Sequence, residues 1–433
     1  MKLNYGKTFV LGFGFFGVSV IWSVYNAFVP VFLQSRFNMA AGFIGIFMTL
    51  DNIASLFIQP LVGAYSDRLR TPIGRRIPFI IIGAPIAALA FIFLPFTKSL
   101  FLFFLAATVL LLSMAIWRTP VVALMPDITP SKHRSPANGI INLMGGLGSI
   151  IAFLIGATLY EMNPANPFYL AAALVVVSAV LVFIFVREPS EFIDKATHLE
   201  PVAEVDDQVR AQGLLRSVKK VLLDPDKSAF RVLLAIFLWF VAYNGIEAFF
   251  TLYCVNQLGL SEADGSRLLG QMSLIFVLMA LPAGYIGKAI GRKRTILMGI
   301  AGMAIGISLF YFLPSGFLAG SVAKIPMLGD IRGASFILFG LGLFWALINI
   351  NSLPMVVDMT TDVNIGTFTG MYYLFSTLAA ILGPIMYGWI IQLTGNQYLQ
   401  LMLVSPLFML GAFISMAGVR KGEAKVAQPS NTL

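Results

Sequence analysis

Three ionisable side chains lie deep inside long apolar runs of the sequence: Asp51, Arg118 and Glu247. A charged group at the centre of a membrane costs about 2.5–3.5 kcal/mol on insertion scales, so such residues usually mark a substrate or ion path. We predict that Asp51 and Glu247 take up and release protons. The guanidinium of Arg118 offers five donors in a fixed fork, which suits neighbouring hydroxyl groups or an ionised carboxylate. A direct Asp51–Arg118 pair and a purely structural role in tying helices together both stay open at this point.

Aromatic and amide side chains accompany these charges in the same apolar runs. Aromatic rings can stack on the flat apolar faces of a cyclic polar ligand, while amides bond its hydroxyl groups. Each residue alone could equally serve helix packing or an interfacial aromatic belt. Together they favour a polar neutral ligand over a lipid or a drug. Besides the three ionisable residues, the predicted substrate-binding residues are Trp22, Tyr25, Asn26, Asn52, Asn142, Tyr243, Asn244, Asn349, Asn351, Tyr372 and Tyr373.

The composition indicates a membrane protein. Of the 433 residues, 58% are hydrophobic and only 11% are charged, whereas a soluble chain carries roughly 25% charged residues. One cysteine and two histidines rule out an intrachain disulfide and a cysteine or histidine metal cluster. The sequence contains neither a phosphate-binding loop nor a nucleophile–base set. We therefore expect no cofactor, no metal and no enzymatic activity.

Twelve apolar runs are long enough to cross a membrane, which takes about 20 residues. They predict an all-α membrane protein of twelve helices. A long charged stretch after the sixth run separates an N-terminal six-helix bundle (1–187) from a C-terminal six-helix bundle (230–420), with a cytoplasmic linker between them (188–229) and a cytoplasmic tail (421–433). The runs are 8–34, 41–66, 78–96, 99–126, 137–160, 166–186, 230–256, 265–287, 295–314, 333–357, 367–392 and 398–418.

The basic residues predict the orientation. With the N-terminus inside, 23 of the 29 lysines and arginines fall in cytoplasmic segments and five in outer loops. This strong positive-inside bias predicts a multi-pass protein of the cell membrane with both termini in the cytoplasm. It also accounts for the net charge of +9 without a nucleic-acid partner.

The two halves repeat each other. Asp127 and Asp358 end helices 4 and 10, and Gly139 and Gly370 lie in helices 5 and 11 at the same offset of 231 residues. Two parallel six-helix repeats are typical of carriers that bind their substrate at the repeat interface and expose it alternately to each side.

The loop after helix 2 contains a recognisable motif. It reads Gly63-Ala64-Tyr65-Ser66-Asp67-Arg68 and continues with Gly74-Arg75-Arg76, which resembles the G-x-x-S-D-R…G-R-R motif of the major facilitator superfamily. The longer string 59–79, together with helices 1 and 4, is most similar to the sucrose transporters and their glycoside-pentoside-hexuronide:cation symporter relatives. The resemblance implies two bundles around a central cavity and uptake of a glucoside or a disaccharide such as sucrose or maltose.

The same motif predicts a conformational latch. Acidic and basic residues are interleaved at one end of two rocking bundles, so they can hold one conformation and release it in the other. The simpler interpretation is that the arginines only anchor the orientation. In the second repeat Lys288 replaces the aspartate, so we expect different wiring there. The predicted latch residues are Gly63, Asp67, Arg68, Gly74, Arg75, Arg76 and Asp127.

The coupling ion is predicted to be a proton. The resemblance to sucrose transporters implies protons, whereas the related melibiose carriers use sodium and carry an acid where this chain has Arg118. An arginine opposes a sodium site, while a lone carboxylate such as Asp51 can titrate during the cycle. Sodium coupling, a drug or metabolite exporter, and an uncoupled facilitator or sensor remain alternatives. The expected partners are the sugar, the ion and the lipid bilayer, and we expect the protein to be a monomer.

Overall fold

The computed structural model describes residues 5–129, 134–200, 218, 219, 221, 223–360 and 365–420, so the predicted tail, 421–433, lies outside the described residues. Within them are twelve helices long and apolar enough to cross a membrane, which confirms the predicted all-α class. We number these helices α1 to α12. Their bounds are Tyr5–Phe37, Ala41–Arg68, Ile77–Phe93, Leu100–Ile128, Arg134–Met162, Asn166–Phe185, Ser228–Leu258, Glu262–Ile290, Arg292–Phe312, Gly333–Val357, Ile365–Leu393 and Gln400–Ala417.

The helices pack in the same pattern in both halves. Helix α1 packs on α5 and α6, as α7 packs on α11 and α12. Likewise α4 contacts α2 and α3, and α10 contacts α8 and α9. The repeat inferred from the residue offsets is therefore also a repeat of packing, and it produces two six-helix bundles.

Helix α2 is interrupted after its first seven residues, where the sequence predicted a continuous run. It consists of Ala41–Phe47 and Leu50–Arg68, joined by a turn at Met48 and Thr49. The Thr49 hydroxyl donates to the carbonyl of Ile46 at 2.7 Å, a side-chain bond that competes with the regular helical ladder. The interruption places Asp51 in the first turn of the second part of α2.

Short strands occur in two connections. Strand β1 (Leu69–Arg70) pairs antiparallel with β2 (His198–Leu199), so the start of the predicted linker lies on the α2–α3 loop. Strands β3 (Ser321–Ile325) and β4 (Gly329–Arg332) form a hairpin between α9 and α10, after a short helix at Ser315–Ala319.

The two bundles are packed together at one end and diverge toward the other. We call the end that carries the α2–α3 loop the loop end, and the opposite end the far end. Helix α11 packs along the first part of α2 and only sparsely on the second part. A Cβ atom at Gly45 would collide with the carbonyl of Pro384, so only glycine permits this approach at the far end.

Polar bonds join the bundles at the far end. Arg267 of α8 binds Glu161 of α5 through two parallel bonds of 2.6 and 2.7 Å. Gln34 of α1 donates to the hydroxyl of Tyr398 at 2.7 Å and accepts from Asn256 at 3.0 Å. Burial raises the pKa of the Tyr398 phenol to about 12, so it stays protonated at neutral pH.

Candidate functional site

A polar cleft lies between the bundles. Four charged or amide side chains that line it come from the N-terminal bundle, and two come from α7. A tryptophan of α1 also lines it. Seven of the fourteen predicted substrate-binding residues line it, although they come from four helices. The lining residues are Trp22, Asn26, Met48, Asp51, Asn52, Arg118, Asn244, Glu247, Ala248, Ala380 and Pro384.

Asp51 is held by the start of a half-helix. Its carboxylate accepts the backbone N–H groups of Asp51 and Asn52, and the Asn52 side chain donates to it at 3.0 Å. The N-terminus of a helix carries a partial positive charge, and interrupted helices present such ends to ligands in many carriers. The turn in α2 thus fixes the carboxylate on the wall of the cleft.

Arg118 lies in the same cleft without a direct carboxylate partner. Between described residues, no ion pair within 4.0 Å involves its guanidinium, although Asp51 and Tyr373 are close enough to interact with it electrostatically. The direct Asp51–Arg118 pair that the sequence left open is therefore not formed in this conformation. A ligand in the cleft can reach the donors of Arg118 while Asp51 stays nearby.

Glu247 reaches the cleft from the opposite bundle. Its carboxylate accepts a hydrogen bond from the side chain of Asn26 and lies close enough to Asp51 for electrostatic interaction. Since α1 and α7 belong to different bundles, the Asn26–Glu247 bond joins them at the cleft. Two acids and one arginine from both repeats therefore surround one space.

The predicted tyrosines lie around the cleft and not in its lining. Tyr25 is buried against Trp22 and Phe47, and its hydroxyl has no hydrogen-bond partner among described residues. Tyr243 stacks on Trp345 with ring centroids 4.0 Å apart. The remaining two differ in exposure. Tyr372 is buried, and its hydroxyl lies 3.0 Å from that of Ser352, whereas Tyr373 is exposed beside Arg118.

The other predicted asparagines do not line the cleft. Asn351 is buried, and its amide donates to the carbonyls of Ala283 and Leu347, both at 3.0 Å. It therefore joins α8 to α10, a packing role that our sequence interpretation did not separate from binding. Asn142 is exposed on α5 and Asn349 is half-buried on α10. Conversely, the apolar lining residues gave no sequence signal, because small and apolar residues are everywhere in these helices.

The loop end brings the predicted latch charges together within the N-terminal bundle. Asp127 accepts from Arg75 at 2.8 Å and from Arg76 at 3.0 Å. Arg76 also binds Asp67 and Ser66. These four charged side chains tie the ends of α2, α3 and α4 to each other, so they form a rigid unit on one bundle.

Glu188 completes this unit, and sequence reasoning missed it. Its carboxylate accepts the backbone N–H groups of Arg75, Arg76 and Ile77 at 3.0, 2.7 and 3.0 Å, which caps the start of α3. Gly74 has a φ of +108°, and a Cβ there would lie 2.5 Å from Glu188. The position therefore requires glycine. No motif spacing pointed to Glu188, because the contact spans more than a hundred residues.

Two latch residues lie differently from our prediction. Arg68 forms no ion pair with a carboxylate of the described residues and donates instead to the carbonyl of Glu200 at 2.8 Å, because β1–β2 pairing brings the linker beside it. A Cβ at Gly63 would meet only a methyl group of Thr119 at 3.7 Å among the described residues, an ordinary contact, so the helix packing there does not require glycine. In the second repeat Arg292 binds Asp358, while Lys293 donates to carbonyls of Ala417 and Val419. The ion pairs there thus differ from those of the first repeat, as predicted.

Comparisons with known proteins agree with this architecture. The family model of the Major Facilitator Superfamily matches residues 11–353 and 268–432. Tetracycline resistance protein, class B, of Escherichia coli is 25% identical over 411 residues, covering 91% of this chain and 92% of that protein. The crystal structure of a bacterial homologue of the human lysosomal transporter Spinster superposes with a TM-score of 0.71 at 12% identity, covering 99% of this chain and all of that one.

Two further relatives match smaller parts of the chain. Dipeptide and tripeptide permease A of Escherichia coli (strain K12) is 36% identical over 172 residues, 37% of this chain and 32% of that protein. Sucrose transport protein SUC3 of Arabidopsis thaliana is 23% identical over 239 residues, 46% of this chain and 40% of that protein. The sucrose branch is therefore supported only weakly.

Two repeated six-helix bundles around a polar cleft define a membrane carrier of small molecules. The chain belongs to the Major Facilitator Superfamily, and it is a transporter and not an enzyme.

Proposed function

We propose that this transporter imports a sugar, a glucoside or a disaccharide such as sucrose or maltose, by proton symport with alternating access. The observation that carries the proposal is the polar cleft, which combines Arg118, Asp51 and Glu247 with Trp22 and three asparagines. Sugars present both apolar ring faces and many hydroxyl groups. The cleft offers an aromatic surface for the former and amide and guanidinium donors for the latter.

Protons are the proposed coupling ion. A proton that enters from the far end converts the Asp51 carboxylate to the neutral acid, and Arg118 is then free to donate its hydrogen bonds to the sugar. Release of the proton at the loop end restores the carboxylate and draws Arg118 away from the sugar. Glu247, bonded to Asn26 across the bundles, is the second proposed proton-binding group.

The same proposal includes the membrane placement. The charge bias of the loops supports the cell membrane with the loop end and both termini in the cytoplasm, and one chain contains the complete cleft, which supports a monomer. The latch role of the loop-end unit is likewise proposed. It is supported by its position on one bundle, beside the gap between the bundles.

An exporter of drugs or metabolites is the second candidate, and the full-length similarity to a tetracycline resistance protein favours it. A panel of radiolabelled sugars in proteoliposomes separates the two functions. With an inward proton gradient we expect concentrative uptake of at least one glucoside or disaccharide, and a sodium gradient alone should not drive it. Uptake driven only by sodium would show that sodium, and not the proton, is the coupling ion. Efflux of a drug without uptake of any sugar would overturn the proposal.

A further inference from the structure

Three acidic side chains surround Arg267 at the far end. Its guanidinium binds Glu161 of α5 through bonds of 2.6 and 2.7 Å, and a carboxylate oxygen of Asp264, three residues earlier on α8, lies 3.6 Å from it. Asp330 of strand β4 is close enough to interact with Arg267 electrostatically. Of the three acids, only Glu161 belongs to the N-terminal bundle. The other two belong to the same bundle as the arginine.

The β3–β4 hairpin is fixed to α8 beside these charges. Arg332 of β4 lies 3.2 Å from the carboxylate of Asp264. The side-chain amide of Gln271, which is fully buried, donates to two carbonyls of the hairpin at 3.0 and 3.3 Å. A Cβ atom at Gly329 would collide with the side chain of Arg267. The hairpin therefore lies directly against Arg267 and is tied to the helix that carries it.

Separation of the bundles at the far end would take one acid away from Arg267 and leave the other two in place. The side chain of Arg267 is only 13% exposed, and a cation that loses its partner in a buried place is strongly destabilising. Asp264 and Asp330 stay beside Arg267, because the hairpin and α8 are joined by the contacts just named. The guanidinium can therefore turn from Glu161 to Asp264 without becoming unpaired.

We propose that Arg267 exchanges carboxylate partners during the transport cycle, binding Glu161 when the far end is closed and Asp264 beside the hairpin when it is open. The hairpin is then part of the far-end gate, because it keeps a second acid next to the arginine. Loss of the Asp264 charge destabilises the open state more than the closed state, in which Glu161 still holds Arg267. This inference rests on the alternating access of the proposed function but on no particular substrate.

The test measures the distance between the bundles at the far end without substrate. Spin labels at Met162→Cys on α5 and Gly316→Cys after α9 occupy exposed positions, and the fraction of long distances in lipid nanodiscs reports the open state. We expect Asp264→Asn to lower this fraction at least twofold, opposite to the effect of Glu161→Gln. Asparagine can still accept the hydrogen bond that the Ser261 hydroxyl donates at the start of α8, so the helix end is preserved.

A larger open fraction in Asp264→Asn would overturn the proposal, because it would mean that Asp264 only aims Arg267 at Glu161. An unchanged fraction would overturn it as well. Asp330→Asn tests the hairpin separately and should lower the open fraction by less, because Asp330 forms no ion pair with Arg267 within 4.0 Å. A larger open fraction in this variant would remove the hairpin from the gate.

A double variant and a control complete the experiment. In the Glu161→Gln background, Asp264→Asn should change the open fraction little, because Arg267 then has the same acids in both states. A full-sized effect there would contradict the exchange of partners. Glu262→Gln removes an acid from the same turn of α8 and should keep the wild-type distances. A protein that transports no sugar would overturn the proposed substrate and leave these distance changes as they are.

Discussion

At the scale of single residues, the environment of Asp51 differs from that of Glu247. Asp51 lies at the start of a half-helix and takes hydrogen bonds from backbone N–H groups and Asn52, all from its own helix. Glu247 takes its hydrogen bond from Asn26 on the other bundle. Rocking of the bundles can break the second arrangement but not the first. We therefore expect Asp51 to control coupling and Glu247 to respond to the conformational cycle.

We predict that Asp51→Asn abolishes proton-driven accumulation and preserves sugar exchange, because the amide cannot carry a proton but still fits the half-helix. The measurement compares uphill uptake with counterflow in proteoliposomes. Glu191→Gln, an exposed acid on the linker, serves as the control and should behave as wild type. Normal uphill accumulation by Asp51→Asn would assign the coupling to another group.

For Arg118 we predict that Arg118→Lys lowers sugar affinity at least tenfold. Lysine keeps the charge, but it loses the planar fork that can bond two hydroxyl groups at once. Equilibrium binding to purified Arg118→Lys and Arg118→Ala at low and high pH measures this effect. Wild-type affinity in both variants would show that Arg118 does not bind the sugar and has only a structural role. It would also contradict the proposed coupling scheme.

At the scale of elements, the loop-end unit is defined as much by the linker as by the motif. Arg75 and Arg76 bind Asp127 through their side chains and Glu188 through their backbone. The ring of Phe192 lies 3.5 Å from the guanidinium carbon of Arg75. The ends of α2, α3, α4 and α6 therefore move together, as a latch on a rigid bundle requires.

We predict that Asp127→Asn slows turnover severalfold and leaves equilibrium sugar binding within about threefold. Two arginines lose their shared carboxylate, and Asp127 is far less exposed than Asp67, so Asp67→Asn should have a smaller effect. Turnover and equilibrium binding are measured on the same preparations. A large loss of binding at normal turnover would show that the unit contributes to the site and not to the cycle.

The two motif glycines should behave differently. Gly74→Ala places a side chain at a positive φ against Glu188, and such strain costs on the order of 1–3 kcal/mol. We expect it to lower the thermal stability of the purified protein. Gly63→Ala is the matched control, because its new methyl group meets only an ordinary contact. Equal destabilisation by both substitutions would contradict this assignment.

At the scale of the whole molecule, the far end holds the bundles together while the loop end leaves them apart. The Arg267–Glu161 pair, the Gln34–Tyr398 bond and a bond from Ser266 to the carbonyl of Phe153 join the bundles there. All of them must break for the cleft to open at the far end. The far-end contacts thus oppose the loop-end unit in the conformational cycle.

We predict that Glu161→Gln shifts the equilibrium toward opening at the far end. Glu161 is half-exposed, so the pair contributes about 0.5–1 kcal/mol and its loss shifts the equilibrium about two- to fivefold. Spin labels at Asn163→Cys and Lys324→Cys report the distance between the bundles. Glu161→Ala should shift the distances in the same direction, and unchanged distances in Glu161→Gln would show that the pair does not contribute to closure at the far end.

The sequence by itself determined the twelve helices, the repeat and the family, since each depends on local hydrophobicity or on residues adjacent along the chain. It also identified Asp51, Arg118 and Glu247, because a charge stands out within an apolar run. Only the tertiary structure decided which asparagines face the cleft: Asn244 lines it, whereas Asn351 bonds α8. A polar residue satisfies its hydrogen bonds equally well from a ligand or from a neighbouring helix. Which of the two occurs depends on how each helix is rotated in its bundle. The role of Glu188 was likewise decided by the tertiary structure, because its partners are distant in sequence and meet it only when the bundle packs.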